Sequence, residues 1–291
     1  MPEGDSVYRA ARRLDAALTG RVLQSSDFRV PRYTTLNLSG ALVSSVVSRG
    51  KHLLIRAAGL SIHTQLTLDG HWDVYAPGER WRAPAFRARC VLKNADFQAV
   101  GFDLGFLRVI RTADEPEAIG HLGPDPLGHS WDPAEAERRL MHAPERPIGS
   151  SLIDQRLIAG LGNIYRCELL FLHRVHPQTP TGEVEDLPRL IDLAHQVLHD
   201  NKDRARRVTT SSSVREPYWV FGRGGEPCLR CGTEIVHEPA PEASGSDGEN
   251  GEHDLYYCPR CQPRVREGAL QGGFDEGDAV AGGAVTGASP G

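Results

Sequence analysis

The residues whose spacing speaks most directly of chemistry are two cysteine pairs, Cys228-Leu229-Arg230-Cys231 and Cys258-Pro259-Arg260-Cys261. Each CxxC turn presents two thiolates on one knuckle, and two knuckles complete a tetrahedral four-sulfur site for Zn2+. Such a site is closed to water, so the spacing predicts one structural Zn2+ per chain rather than a reactive metal. Disulfides or free thiols are the competing reading, and disulfides suit a reducing compartment poorly. Cys90 and Cys167 stand alone, one in a strand-like and one in a helix-like pattern, and are expected as small buried apolar groups. Zinc ribbons serve many functions, so this module alone does not name one.

A second constellation is Gly160-Leu161-Gly162-Asn163, which opens a helical pattern. A helix N-terminus carries unsatisfied N–H groups and a positive dipole end, which suits a phosphate, and glycines let a nucleic-acid backbone come close. An ordinary glycine turn with Asn163 as helix cap is the alternative. Lys51, in Ser48-Arg49-Gly50-Lys51-His52, is a cation at a hairpin tip, where a lysine is usually just solvated. Pro2 says nothing as a local signal.

These residues need elements to position them. Val7, Ala10, Ala11, Leu14 and Leu18 recur at helical spacing, so residues 5–18 read as an amphipathic helix. Strand-like runs follow at Ala41–Val47, His52–Arg56, Ser61–Leu68, Arg87–Leu92 and Phe97–Gly101, punctuated by Gly50, Gly59, Gly70 and Lys93-Asn94. They predict an antiparallel sandwich or flattened barrel beside the first helix. Asp132-Pro133-Ala134-Glu135 is a helix start, with a cap, a first-turn proline and an acid. Further helices are expected at Ile148–Arg156, Asn163–Leu172 and Asp186–Asp200. The finger spacer, acidic and Gly/Ser-rich over Glu238–Glu252, predicts a hairpin with a floppy tip. The Gly/Ala/Asp-rich stretch after residue 266 predicts disorder.

Net charge is −5, at first sight a poor match to nucleic acid. Residues 232–291 hold 11 Asp/Glu and 3 Lys/Arg, which leaves 27 acidic and 30 basic residues over 1–231, a balance of +3. A mildly positive body can carry one strongly positive groove. No run approaches the roughly 18 apolar residues of a membrane span, and the N-terminus lacks the pattern of a secretory signal. A cytosolic setting with no membrane partner is the expectation.

Taken together these residues resemble the formamidopyrimidine-DNA glycosylase / endonuclease VIII family over about residues 2–265. The matching segments are Pro2-Glu3, Arg49-Gly50-Lys51-His52-Leu53, Leu152-Ile153-Asp154-Gln155 with Ala159-Gly160-Leu161-Gly162-Asn163-Ile164-Tyr165 and Glu168, and Gly222–Cys228 with Tyr257–Gln262. Gly4 after Pro-Glu is similar to the actinobacterial-type endonuclease VIII branch, which mostly removes oxidised pyrimidines. Leu104-Gly105-Phe106 lacks the Arg-x-Phe loop arginine of the formamidopyrimidine branch.

The resemblance implies an α+β multidomain chain. It comprises an N-terminal helix with an antiparallel β-sandwich (2–125), a helix–two-turn–helix domain (130–220), a zinc-finger hairpin (221–265) and a tail (266–291). It implies a monomeric bifunctional DNA glycosylase and abasic-site lyase of base excision repair, acting on damaged double-stranded DNA. Pro2, freed of Met1, would be the nucleophile and Glu3 the proton shuttle. Lys51 and Asn163 would hold phosphates near the lesion. Leu68 would be a wedge filling the space of the everted base, against the alternative of a core leucine on an alternating strand.

Two departures stand out. The family's finger arginine, five residues before the third cysteine, is His253, and no Lys or Arg lies between Cys231 and Cys258. Either His253 binds the DNA phosphate itself, or another basic residue such as Arg223 or Arg260 does, or the clamp is weak, which would slow the reaction or favour single-stranded or bubble DNA. Gln65 replaces a usual histidine, for which no account is offered. The rival readings are a non-catalytic paralogue that binds damaged, abasic or single-stranded DNA, and a zinc-ribbon RNA-binding protein.

Overall fold

The computed structural model describes residues 2–211, 215–239 and 254–264. Helix α1, Gly4–Leu18, buries Val7, Ala11, Leu14, Ala17 and Leu18 on one face. That stripe lies among side chains from two four-stranded antiparallel sheets. One sheet has the order β1 (Ser25–Phe28), β6 (Ala88–Lys93), β7 (Gln98–Phe102), β5 (His71–Tyr75). The other has β2 (Val43–Arg49), β3 (His52–Ala57), β4 (Leu60–Gln65), β8 (Phe106–Arg111). Their shared core contains Leu53, Ile55, Ile62, Trp72 and Leu92, so the sandwich and its flanking helix form one apolar unit.

The alternation that predicted five strands recovers β2, β3, β4, β6 and β7. It misses β1, β5 and β8. The run expected over Ser61–Leu68 stops at Gln65, and Leu68 lies in the following loop, 76% exposed. The core-leucine reading of Leu68 therefore fails.

A short helix α2 (Glu115–Ile119) leads into the helical region. Helix α3 (Pro133–Leu140) starts as its sequence dictates, with the Asp132 carboxylate accepting from the Glu135 N–H at 3.1 Å. Helix α4 (Ile148–Ile153) ends earlier than expected. There the Asp154 carboxylate accepts from the Arg156 N–H at 3.0 Å and turns the chain. Helices α5 (Asn163–His173) and α6 (Leu187–Asn201) complete a core of Leu152, Tyr165, Leu169, Leu190 and Leu198. The last unit is the hairpin of β9 (Val236–Glu238) and β10 (Leu255–Tyr257), packed on Cys167 and Phe171 of α5. Cys90 and Cys167 are fully buried, as expected of small apolar side chains. The predicted floppy finger tip falls mostly, and the predicted disordered tail wholly, outside the described residues. No helix among those residues is long and apolar enough to cross a membrane.

Candidate active site and metal site

Three glycines, distant in sequence, meet at one point. A β-carbon built on Gly160 would lie 3.5 Å from the Gly4 Cα and 3.6 Å from the Gly50 Cα. Gly160 (φ +91°) and Gly50 (φ +56°) hold left-handed conformations that other residues adopt only at a cost. The Gly4 N–H donates to the Gly160 carbonyl at 2.8 Å. The Gly50 N–H donates to the buried Asp125 carboxylate at 2.7 Å, and Asp125 also accepts from the Leu127 N–H. Gln155 locks the loop from behind, accepting from the Gly160 N–H and donating to the Leu161 carbonyl. The start of α1, the β2–β3 hairpin tip and the turn before α5 are thereby brought together. Pro2, Lys51 and Asn163 ride on those three segments, and Pro2 and Lys51 are half-buried.

Glu3 is fully buried. Its carboxylate accepts from the N–H groups of Gly162 (3.0 Å), Ile164 (2.8 Å) and Tyr165 (3.3 Å). It thus caps α5 from another part of the chain, with its negative charge at the positive end of the dipole. A β-carbon on Gly162 would sit 2.6 Å from the Glu3 carboxyl carbon, so this seat requires glycine. The expectation that this helix terminus faces a phosphate is altered here, because Glu3 takes three of its N–H groups. Gly162, not Asn163, is the N-cap. The Asn163 amide donates to the Asp254 carbonyl at 3.0 Å and its oxygen accepts from Arg166, so it ties α5 to the finger hairpin.

Sequence reasoning missed Arg207. Its guanidinium makes a two-pronged contact with Asp5, lies 3.8 Å from Glu3 Oε1 and stacks 4.6 Å over the Tyr165 ring. Burial works against its charge, yet Glu3 and Asp5 outweigh burial and hold Arg207 more firmly protonated than usual. Nothing local distinguishes it from its neighbours in the Arg204–Arg207 run. Beside it opens a cavity of about 860 Å³, which Arg204, Arg206, Arg215 and Tyr218 also line. Arg166 was missed too; it is buried between Asn163 and the Asp254 carbonyl.

Behind Lys51 the imidazoles of His52 and His63 share a hydrogen bond of 2.7 Å, and Gln65 approaches His52 at 3.2 Å. Burial, followed by the neighbouring His63, lowers His52 to about 3. Burial, followed by Arg108, lowers His63 to about 4.

The sulfurs of Cys228, Cys231, Cys258 and Cys261 all lie within 4.8 Å of one another. Two of the separations are 4.0 Å (Cys228–Cys261) and 3.5 Å (Cys231–Cys258). Four thiolates at ~2.3 Å from a tetrahedral zinc would stand ~3.8 Å apart, whereas a disulfide needs ~2.05 Å. The donor set therefore fits a metal ion and leaves no vacancy for chemistry. Glu168 of α5 braces this module, its buried carboxylate accepting from the N–H groups of Trp219, Val220 and Phe221 at 2.8–2.9 Å. His253 lies outside the described residues.

Residues 1–103 match the model of the formamidopyrimidine-DNA glycosylase N-terminal domain, and residues 122–212 match that of the formamidopyrimidine-DNA glycosylase H2TH domain. A protein of Streptomyces coelicolor named "Probable endonuclease 8 2" is 48% identical over 278 residues, spanning 94% of this chain and 98% of that one. The Mycolicibacterium smegmatis "DNA-(apurinic or apyrimidinic site) lyase Nei2" is 44% identical over 90% of this chain and 99% of its own length. A crystal structure of Lactococcus lactis formamidopyrimidine-DNA glycosylase, non-covalently bound to DNA containing an abasic site, shares the fold with a TM-score of 0.72 at 23% identity. That match covers 90% of this chain and all of that one. With matched domains in the same order and identity sustained over nearly the full length, the chain belongs to the formamidopyrimidine-DNA glycosylase / endonuclease VIII family.

Proposed function

We propose that this protein is a bifunctional DNA glycosylase and abasic-site lyase of base excision repair, acting on oxidised pyrimidines through the amine of Pro2. The observation that carries this reading is the three-glycine junction. It brings the start of α1, the lysine hairpin and the α5 terminus together, and Arg207, bonded to Asp5 of α1, borders a cavity lined by residues between 204 and 218 that we assign to the everted base. The related proteins named as endonuclease 8 and as an abasic-site lyase support it.

Once Met1 is removed, Pro2 exposes a secondary amine, and an α-amino group titrates near ~8, far below lysine at ~10.4. A useful fraction is neutral at physiological pH. The nitrogen forms a bond to C1′ as the base departs with a proton, and opening of the sugar leaves an iminium. That electron sink acidifies C2′–H. Loss of this proton expels the 3′ phosphate, and a second elimination expels the 5′ phosphate. Water then releases the sugar fragment and restores Pro2. Glu3 shuttles protons to the sugar oxygen and the leaving base. Lys51 holds a flanking phosphate, Asn163 serves by tying the start of α5 to the finger hairpin, and exposed Leu68 enters the duplex as the wedge.

The labour divides by segment. Residues 2–125 carry the nucleophile, 130–220 grip the strand, and 221–265 form a finger held by one structural Zn2+. The protein works as a monomer in the cytosol. Loss of the finger arginine at His253 extends its use to single-stranded or bubble DNA.

Borohydride trapping on an oligonucleotide with an abasic site tests the reading. Wild-type protein forms a covalent adduct, and Pro2→Gly or retention of Met1 removes it. A binding paralogue would give retention without any adduct, and an RNA-binding protein would prefer RNA and ignore the second residue.

A further inference from the structure

The described structure places an arginine where the proposed chemistry has no stated need of one. Glu3 and Asp5 put two carboxylates within three residues of Pro2, and both are almost completely buried. Uncompensated, they would hold the Pro2 amine in its protonated, non-nucleophilic form. Two positive features oppose them. One is the α5 terminus, worth about half a charge, which meets Glu3. The other is Arg207, which contacts Asp5 with two nitrogens and approaches Glu3 at 3.8 Å. The Arg207 side chain is only 7% exposed, so solvent screens this pair of interactions little.

We infer that Arg207 is a positioning residue for the lyase chemistry. By neutralising Asp5 and Glu3 it raises the neutral fraction of the Pro2 amine at physiological pH and fixes the Glu3 carboxylate against α5. This inference rests on Pro2 being the nucleophile. The other charged or titratable groups around the cluster are Tyr165 and Arg166 of α5, Tyr218 across the cavity and the buried Asp125 carboxylate behind Gly50 and Gly160, with Lys51 arriving on the hairpin; Asp125 is the same in every variant compared. The two tyrosines, both pushed above the usual phenol range by burial, stay neutral through the working range. Arg166 and Lys51 are the same in every variant compared. The balance that decides the amine is therefore the one among Glu3, Asp5, Arg207 and the α5 terminus. The arrangement has a second effect: Arg207 also forms a wall of the 860 Å³ cavity, so the group that arms the amine also borders the base pocket.

The test is the pH profile of borohydride trapping on abasic-site DNA, measured for intact protein and two variants of opposite sign. In Arg207→Gln two carboxylates lose their cation, and the profile moves up by about one pH unit, with about ten-fold slower trapping at pH 7. In Asp5→Asn one carboxylate is gone, and the profile moves to lower pH. Arg207→Lys restores most of the wild-type position, because charge rather than fork geometry is what the amine senses. Slower trapping in Arg207→Gln with an unmoved profile would make the residue merely structural and overturn the inference. If Arg207→Gln does not fold, Asp5→Asn decides alone: a profile that stays put or rises refutes the charge balance. Failure of the wild-type protein to trap at all would instead refute the Pro2 reading itself.

Discussion

Both oxygens of Glu3 accept from backbone N–H groups in a buried site, so the carboxylate has one seat, in which Oε1 accepts a single such bond and keeps a lone pair for the proposed proton transfer. That seat exists because residue 162 has no side chain. Gly162→Ala pushes a methyl group against the Glu3 carboxyl carbon, and we expect a loss of about 1–3 kcal/mol, as for other overpacked sites. Urea denaturation reads the stability and adduct formation reads the geometry; an unmoved midpoint with full adduct would show that Glu3 has another home. His253 poses a separate question of the same scale. A charged hydrogen bond is worth ~1.5–3 kcal/mol. His253→Arg is therefore expected to speed incision of duplex lesions by about ten-fold or more and narrow the advantage of bubble DNA. Equal rates for the two proteins would end the idea of a weakened clamp.

The β2–β3 hairpin that carries Lys51 is backed by neutral imidazoles rather than by apolar side chains. Unfolded histidines take up protons near 6.5. His52 and His63 resist to about 3 and about 4 in the fold. Between those values the unfolded chain binds more protons, so their contribution is complete above about 6.5 and is lost as pH falls. The slope is at most about 1.4 kcal/mol per pH unit per group. Urea midpoints measured from pH 7 to pH 4 should fall steeply in the wild type and less steeply in a His52→Leu, His63→Leu double variant. Parallel curves would show that these rings do not govern the acid limb. Period-two alternation made β3 and β4 legible in the sequence. It could not show that the polar positions of this face, His52, His63 and Gln65, meet one another. β1 is only four residues and β8 has no fully buried position, so neither carries the alternating apolar signal that a sequence reveals.

Across the whole molecule, the finger is joined to the helical region through Cys167 and Phe171 and through Glu168. Removing the metal proposed at the four cysteines with a chelator should therefore do more than open a knuckle. The joint core is expected to loosen, with lower thermal stability and a sharp loss of affinity for abasic-site DNA, both restored by Zn2+. Unchanged melting after verified metal loss would show the hairpin to be held by its packing alone. The two CxxC pairs announced this module without help, because a soft-ligand site needs only four sulfurs at a fixed spacing. The active site was legible only through family resemblance. Its essential pairings join residue 3 to 162–165 and residue 5 to 207, separations over which neither pattern nor propensity carries information. Those same separations impose an order of events during synthesis. The proposed catalytic end leaves the ribosome first, yet its last partner, Arg207, is made some two hundred residues later. A growing chain would thus carry its proposed nucleophile without the pocket that directs it until most of the protein has been translated.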